Sequence, residues 1–106
     1  MKQRDLLLLI SQTVRRVVPD AEIILYGSVA RGEETPDSDI DLLILIEGNE
    51  DKPSMREINA ITWPLYDLEW RTGINISPKI KTRKQWTNPK LMTELQINII
   101  NEGIRL

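Results

Sequence analysis

Two aspartates and a glycine–serine pair carry most of the chemistry this sequence can offer. Asp39 and Asp41 stand two apart in D-S-D-I-D-L at residues 37–42, and Gly27-Ser28 precede them with ten residues between Ser28 and Asp39. In a strand, alternate side chains share a face, so Asp39 and Asp41 project side by side. A carboxylate pair at that spacing suits Mg2+, a hard cation that takes oxygen ligands. Gly27 has no Cβ and lets backbone come close to a ligand, while Ser28 opens a short helical segment whose free N–H groups favour an anion. Together Gly27 and Ser28 can hold a triphosphate tail. Divalent ions at the aspartates would neutralise that tail, help deprotonate an attacking hydroxyl and stabilise departing pyrophosphate. No Gly-Lys-Ser/Thr follows the turn, so it is not a P-loop, nor is it a dinucleotide fingerprint. The competing readings are a turn-and-cap role for the aspartates and a helix N-cap for Ser28, and the second uses the same N–H groups as phosphate binding.

The rest of the composition narrows the chemistry. The chain has 106 residues, room for one small domain spanning residues 1–106. It contains no cysteine and no histidine, which excludes disulfides, Cys- or His-ligated zinc and Ser-His-Asp or Cys-His nucleophiles. A formal charge of −2 provides no general basic field for nucleic acid. The apolar run from Leu6 to Ile10 is too short for a signal-peptide core, and no stretch approaches the roughly 20 apolar residues of a membrane span. A cytoplasmic protein is the expectation.

The elements that must position the motif can be read from periodicity. Leu6, Leu7, Ile10, Val14 and Val17 recur at helical steps through residues 2–18, and Pro19-Asp20 ends that helix. Residues 22–26 read as a buried strand that stops at Gly27-Ser28. A short helix over residues 29–34 follows, then an extended loop, since Pro36 disfavours helix at Thr35. Residues 39–47 form the clearest strand: Asp39, Asp41, Leu43 and Leu45 face one way, Ile40, Leu42, Ile44 and Ile46 the other. Apolar on both faces, it should be central. Ser54 and Glu57 predict a capping box, and a helical stripe continues to about Trp70, with a kink or break expected near residues 60–63 because of Pro64. Residues 73–81 read as a strand whose Pro78 demands an edge position or a bulge. Asn88 as N-cap and Pro89 at the first helical position open a last, broadly apolar helix that Gly103 ends. This order predicts a small α+β (α/β) domain, helices packed on a mixed sheet.

G-S-V-A-R-G followed by D-S-D-I-D-L resembles the minimal nucleotidyltransferases of the polymerase-beta-like superfamily, whose signature is Gly-Ser, ten residues, then Asp-x-Asp. The likeness extends through Ala30-Arg31-Gly32 and the strand after the aspartates, and element order agrees along most of the chain. It implies a palm-like core that transfers a nucleoside monophosphate from an NTP, ATP by expectation, to a hydroxyl, using Mg2+. Gly27 and Ser28 would then hold the β- and γ-phosphates, and Asp39 and Asp41 the metals. Stand-alone members resemble the antitoxin halves of toxin–antitoxin modules, which implies a HEPN-type helical partner; the apolar last helix also fits a homodimer.

Active members add a third carboxylate from a neighbouring strand. Here the polar face of residues 73–81 offers Asn75 and Ser77, neither an acid, and Glu69 lies four residues before that strand. The alternative reading is therefore a nucleotide- or partner-binding module without turnover. Glu69 itself reads as a solvated helix-end residue. Arg31 has two uses open to it, contact with nucleotide phosphate or pairing with Glu33, Glu34 or a motif aspartate. Trp63, Tyr66, Trp70 and Trp86 could wall a base, but large aromatics in a chain without Phe are expected in the core. Lys79, Lys81, Arg83 and Lys84 could touch RNA, an acidic partner or a triphosphate, but their usual explanation is a solvated, charge-protected sheet edge.

Overall fold

The structure, a computed structural model, describes residues 3–33, 35, 37–48, 50, 52–87 and 93–106. Its elements run α1 (Gln3–Val17), β1 (Glu22–Tyr26), α2 (Gly27–Ala30), β2 (Ile40–Ile46), α3 (Met55–Thr72), β3 (Ile76–Thr82), α4 (Arg83–Trp86), α5 (Glu94–Glu102) and β4 (Ile104–Arg105). The four strands form one mixed sheet in the order β3-β2-β1-β4, the α+β arrangement expected. β2 is central, pairing antiparallel with β1 and parallel with β3.

Strand alternation divides the sheet into two faces. Ile23 and Leu25 of β1 and Ile40, Leu42, Ile44 and Ile46 of β2 join Leu6, Ile10 and Val14 of α1 and Ile61, Leu65 and Leu68 of α3 in the larger core. The opposite face gathers Tyr26, Leu43 and Leu45 under Ile99 of α5, with Ile24 and Trp86 packed against them. Both faces of β2 are thus covered, which accounts for its nearly unbroken apolar run. Asp41 belongs to the second, thinner face.

Ser54 caps α3 as its sequence predicts: its hydroxyl accepts from Glu57 N at 3.1 Å, and Glu57 Oε1 accepts from Ser54 N at 3.0 Å. The break expected near residues 60–63 does not occur, and α3 runs 18 residues across Pro64. Burial of Ile61, Leu65 and Leu68 against α1 and the sheet offsets the backbone hydrogen bond that Pro64 removes. Pro78 lies on the edge strand β3 opposite Leu42 in unbroken register, so the edge position rather than a bulge accommodates it.

The expected helix start at Asn88-Pro89 lies outside the described residues; the described helix α5 is capped by Thr93, which accepts from Gln96 N at 3.2 Å. Gly103 ends it because space is short: a Cβ there would lie 2.5 Å from Ile99 O and 2.6 Å from Ile24 Cγ2. One further correction concerns the aromatics. Trp63, Tyr66 and Trp70 are exposed on α3, and of the four only Trp86 packs against a core.

Candidate active site

The site forms where β1 turns into α2 alongside the start of β2. Antiparallel register pairs Tyr26 with Asp41, which brings the Gly27 backbone against the Asp41 side chain. A Cβ on Gly27 would stand 2.3 Å from Asp41 Oδ2 and 3.2 Å from its Cγ, and Gly27 has φ +79. Glycine is required there twice over, by backbone conformation and by contact with a carboxylate. Ser28 is the next residue of α2, and no side chain caps that helix. Arg31 N closes the turn onto Gly27 O at 3.1 Å.

Electrostatics tie the two aspartates together. Burial pushes the Asp41 carboxyl above the ordinary carboxylate range, and the like charge of Asp39 raises it further, while Lys79 and Arg31 pull it down. Tyr26 is raised to about 12, first by burial and then by the Asp41 charge. A site that makes its own carboxylate harder to ionise is one that a cation would relieve. Asp39 is exposed just ahead of β2, and Asp41 is half-buried.

The third position is occupied differently. Parallel register sets Ser77 of β3 beside Asp41 and Lys79 beside Leu43, on the same sheet face. Asn75 is exposed, and its carbonyl accepts from Ile40 N at 2.9 Å. Glu69 is not the solvated helix-end residue expected: it is half-buried, and its Oε2 accepts from Ile76 N at 2.7 Å, fastening α3 to the beginning of β3. Among the described residues no group of three or more Asp, Glu, His or Cys side chains is placed to hold a metal. The neighbouring strand thus sets Ser77 beside Asp41, and Lys79 adds positive charge on the same face.

Arg31 engages carboxylates, with Nε 3.0 Å from Glu33 Oε2 and Nη1 3.0 Å from Glu102 Oε1. It thereby ties the end of α2 to α5. Beyond Asp41 on the same face, Leu43, Lys79, Lys81, Trp86, Gln96 and Ile99 line a cavity of about 330 Å3. The sequence offers Trp86 as a possible wall for a base, but not its meeting with Lys79 and Lys81 in one cavity, because α4, which carries Trp86, is a single turn with no periodicity to announce it. A second cavity of about 370 Å3 lies across Trp86, over Ile24 and Leu45, and contains none of the motif residues.

The nucleotidyltransferase-domain family matches residues 8–105. A similar curated protein is the bifunctional uridylyltransferase/uridylyl-removing enzyme of Streptomyces coelicolor, 33% identical over 63 residues. That match covers 59% of this chain and 7% of the Streptomyces protein.

Proposed function

This chain belongs to the nucleotidyltransferase-domain family, and from that premise we propose that it moves a nucleoside monophosphate from an Mg·NTP, ATP first among the candidates, to a hydroxyl acceptor. The observation that supports this reading is the contact of the Asp41 carboxylate with the Gly27 backbone, which sets the Gly-Ser turn against one of the two aspartates. Asp39 and Asp41 fit a hard divalent cation: both offer oxygen ligands, and Asp41 is disfavoured as a bare anion. Mg2+ bound there supplies charge neutralisation for the triphosphate and acidity for the acceptor hydroxyl.

In the reaction a bond forms between the acceptor oxygen and Pα, the Pα–O–Pβ bond breaks, pyrophosphate leaves, and the hydroxyl proton passes to solvent or carboxylate. Gly27 and Ser28 hold the β- and γ-phosphates through the free N–H groups at the start of α2. Lys79 adds positive charge on the face of Asp41. Arg31 reaches phosphate by exchanging one of its two carboxylate partners. The nucleoside lies in the cavity beside Trp86, with Lys81 toward its polar edge. Exposed Ile97 and Ile100, on one side of α5, offer a docking face for a helical partner of the HEPN type, a source of the acceptor hydroxyl.

Ser77 beside Asp41 favours a second reading, a module that binds Mg·NTP without turnover. Incubation with α-labelled NTPs, Mg2+ and cell lysate separates the two. Label transfer that Asp39→Asn or Asp41→Asn abolishes supports the transferase. Measurable Mg·NTP binding with no transfer refutes it in favour of the binding module.

A further inference from the structure

Gln96 is buried on α5, 6% exposed and one turn before the core residue Ile99. An apolar side chain would fill that place without stripping water from an amide, so a glutamine there calls for a partner. The partner lies on another element: Gln96 Nε2 donates to Trp86 O at 2.5 Å.

Trp86 depends on such anchors because α4, Arg83–Trp86, is a single turn and too short to be stable alone. Thr82 holds its first residues, accepting from Gln85 N at 3.1 Å while its hydroxyl donates to Glu50 O at 3.0 Å. At the other end Thr87 satisfies Arg83 O, with N at 3.0 Å and Oγ1 at 2.9 Å. The Trp86 carbonyl takes its hydrogen bond from α5 instead. The Trp86 side chain packs against the cluster of Tyr26, Leu43, Leu45 and Ile99 and lines both of the larger cavities on this face. The same α5 reaches toward the Gly-Ser turn. Glu102, roughly 9 Å further along the helix axis than Gln96, accepts from Arg31 Nη1 at 3.0 Å.

We propose that Gln96 is a positioning residue for nucleotide binding: by holding the Trp86 carbonyl it keeps the indole in place as the wall on which the base stacks. This rests on the placement of the nucleoside in the cavity beside Trp86. The Gln96 amide nitrogen is spent on Trp86 O, so the residue acts through Trp86 rather than by touching the nucleotide. Its effect is confined to the nucleoside, because neither Gly27, Ser28 nor either motif aspartate lines that cavity. Triphosphate affinity and base affinity therefore separate in one experiment.

Titration calorimetry compares Mg·ATP with Mg·tripolyphosphate, which has no nucleoside. In Gln96→Leu, Mg·ATP should bind roughly ten-fold more weakly, the order of one lost base–aromatic stack. Mg·tripolyphosphate should bind as it does to the parent, which also shows the variant to be folded. Gln96→Glu keeps the shape, but an ionised carboxylate cannot donate to a carbonyl, so it should show the same selective loss. In a Trp86→Ala background, Gln96→Leu should weaken Mg·ATP no further. A parent that prefers Mg·ATP and a Gln96→Leu variant that keeps the preference overturn the role of Gln96 and leave the nucleoside where it is placed. Equal loss of both ligands in the two Gln96 variants makes the bond merely structural and overturns it too, as does a further loss in the Trp86→Ala background, which would make Gln96 a direct contact. A parent that binds Mg·ATP no tighter than Mg·tripolyphosphate refutes the placement of the nucleoside itself, and this role with it.

Discussion

Replacing Gly27 by alanine separates backbone strain from damage to the site, because a second glycine supplies the matching control. Gly27 and Gly73 have nearly the same left-handed backbone, φ +79 and φ +72. An L side chain at such a φ costs roughly 1–2 kcal/mol, which for a domain of about this size lowers Tm by roughly 5–10 °C. That cost should appear in both Gly27→Ala and Gly73→Ala. The surroundings differ: a Cβ on Gly73 meets nothing within 4 Å, whereas a Cβ on Gly27 falls 2.3 Å from Asp41 Oδ2. Ordinary contact is about 3.5 Å, so the carboxylate must retreat by roughly 1 Å. The rotation is cheap for stability, since only the end of a side chain moves. A catalytic group misplaced by about 1 Å, however, can lose on the order of a hundredfold in rate.

Scanning calorimetry, titration with Mg·NTP and label transfer should therefore diverge. Both alanine variants should melt several degrees lower, and Gly73→Ala should bind and transfer as the parent does. Gly27→Ala should transfer about a hundredfold more slowly, with weakened Mg·NTP binding. If the two variants retain equal affinity and equal rate, Asp41 is not the group that the site depends on, and the contact with Gly27 is only packing.

Glu69 provides a test of the missing acid. Because its Oε2 accepts from the N–H of buried Ile76, Glu69→Gln should keep Tm and transfer within a few-fold, whereas Glu69→Ala strands that N–H and should cost about 1–3 kcal/mol. Loss of transfer in Glu69→Gln to the level of Asp41→Asn would instead make Glu69 a metal ligand. Asp41 has a pH signature of its own. Its carboxyl is raised by burial and by Asp39, so the folded chain keeps that proton to higher pH than the unfolded chain does. The associated stability is full below the ordinary carboxylate value, roughly 3.9, and is lost as pH rises through Asp41's raised value. In metal-free protein with chelator, Asp41→Asn should consequently melt higher than the parent at neutral pH, and the gap should close on acidification. An Asn variant that melts lower at neutral pH contradicts the burial account.

The sequence and structure agree best where one residue type had a single physical solution. The run from Leu42 to Ile46, apolar on both faces, requires a central strand, Ser54 and Glu57 cap the helix that starts between them, and Pro78 needs an edge or a bulge; all three hold, the last as an edge. The motif was legible for the same reason, since Gly27, Ser28, Asp39 and Asp41 are close in sequence and the two strands that carry them are adjacent. Legibility fails where long-range packing decides. Pro64 was expected to break α3, yet the buried stripe on either side carries the helix through. Neither α4 nor β4 has enough residues for a period, and β4 exists because β1 has a free edge for Ile104 and Arg105 to join.

Glu69 and the α3 aromatics fail for a deeper reason, which also links the site to the surface. A carboxylate at the end of a helix and a tryptophan on one face have no fixed meaning until the third dimension gives them neighbours. Glu69 acquires one in Ile76 N, and in doing so sets the start of β3, the strand that brings Ser77 level with Asp41. Trp63 and Tyr66 meet only edge to face and, with Trp70, stay exposed, although α3 is anchored firmly on its opposite side. The same helix thus positions the strand beside the carboxylates with its inner face and offers an aromatic surface with its outer one. A contact made on the outer face would rigidify α3, and through Glu69 it would reach β3. Comparing Mg·NTP affinity of the parent with that of Glu69→Ala measures how far the start of β3 governs the site; equal affinities would show that Ser77 and Lys79 keep their places without that bond.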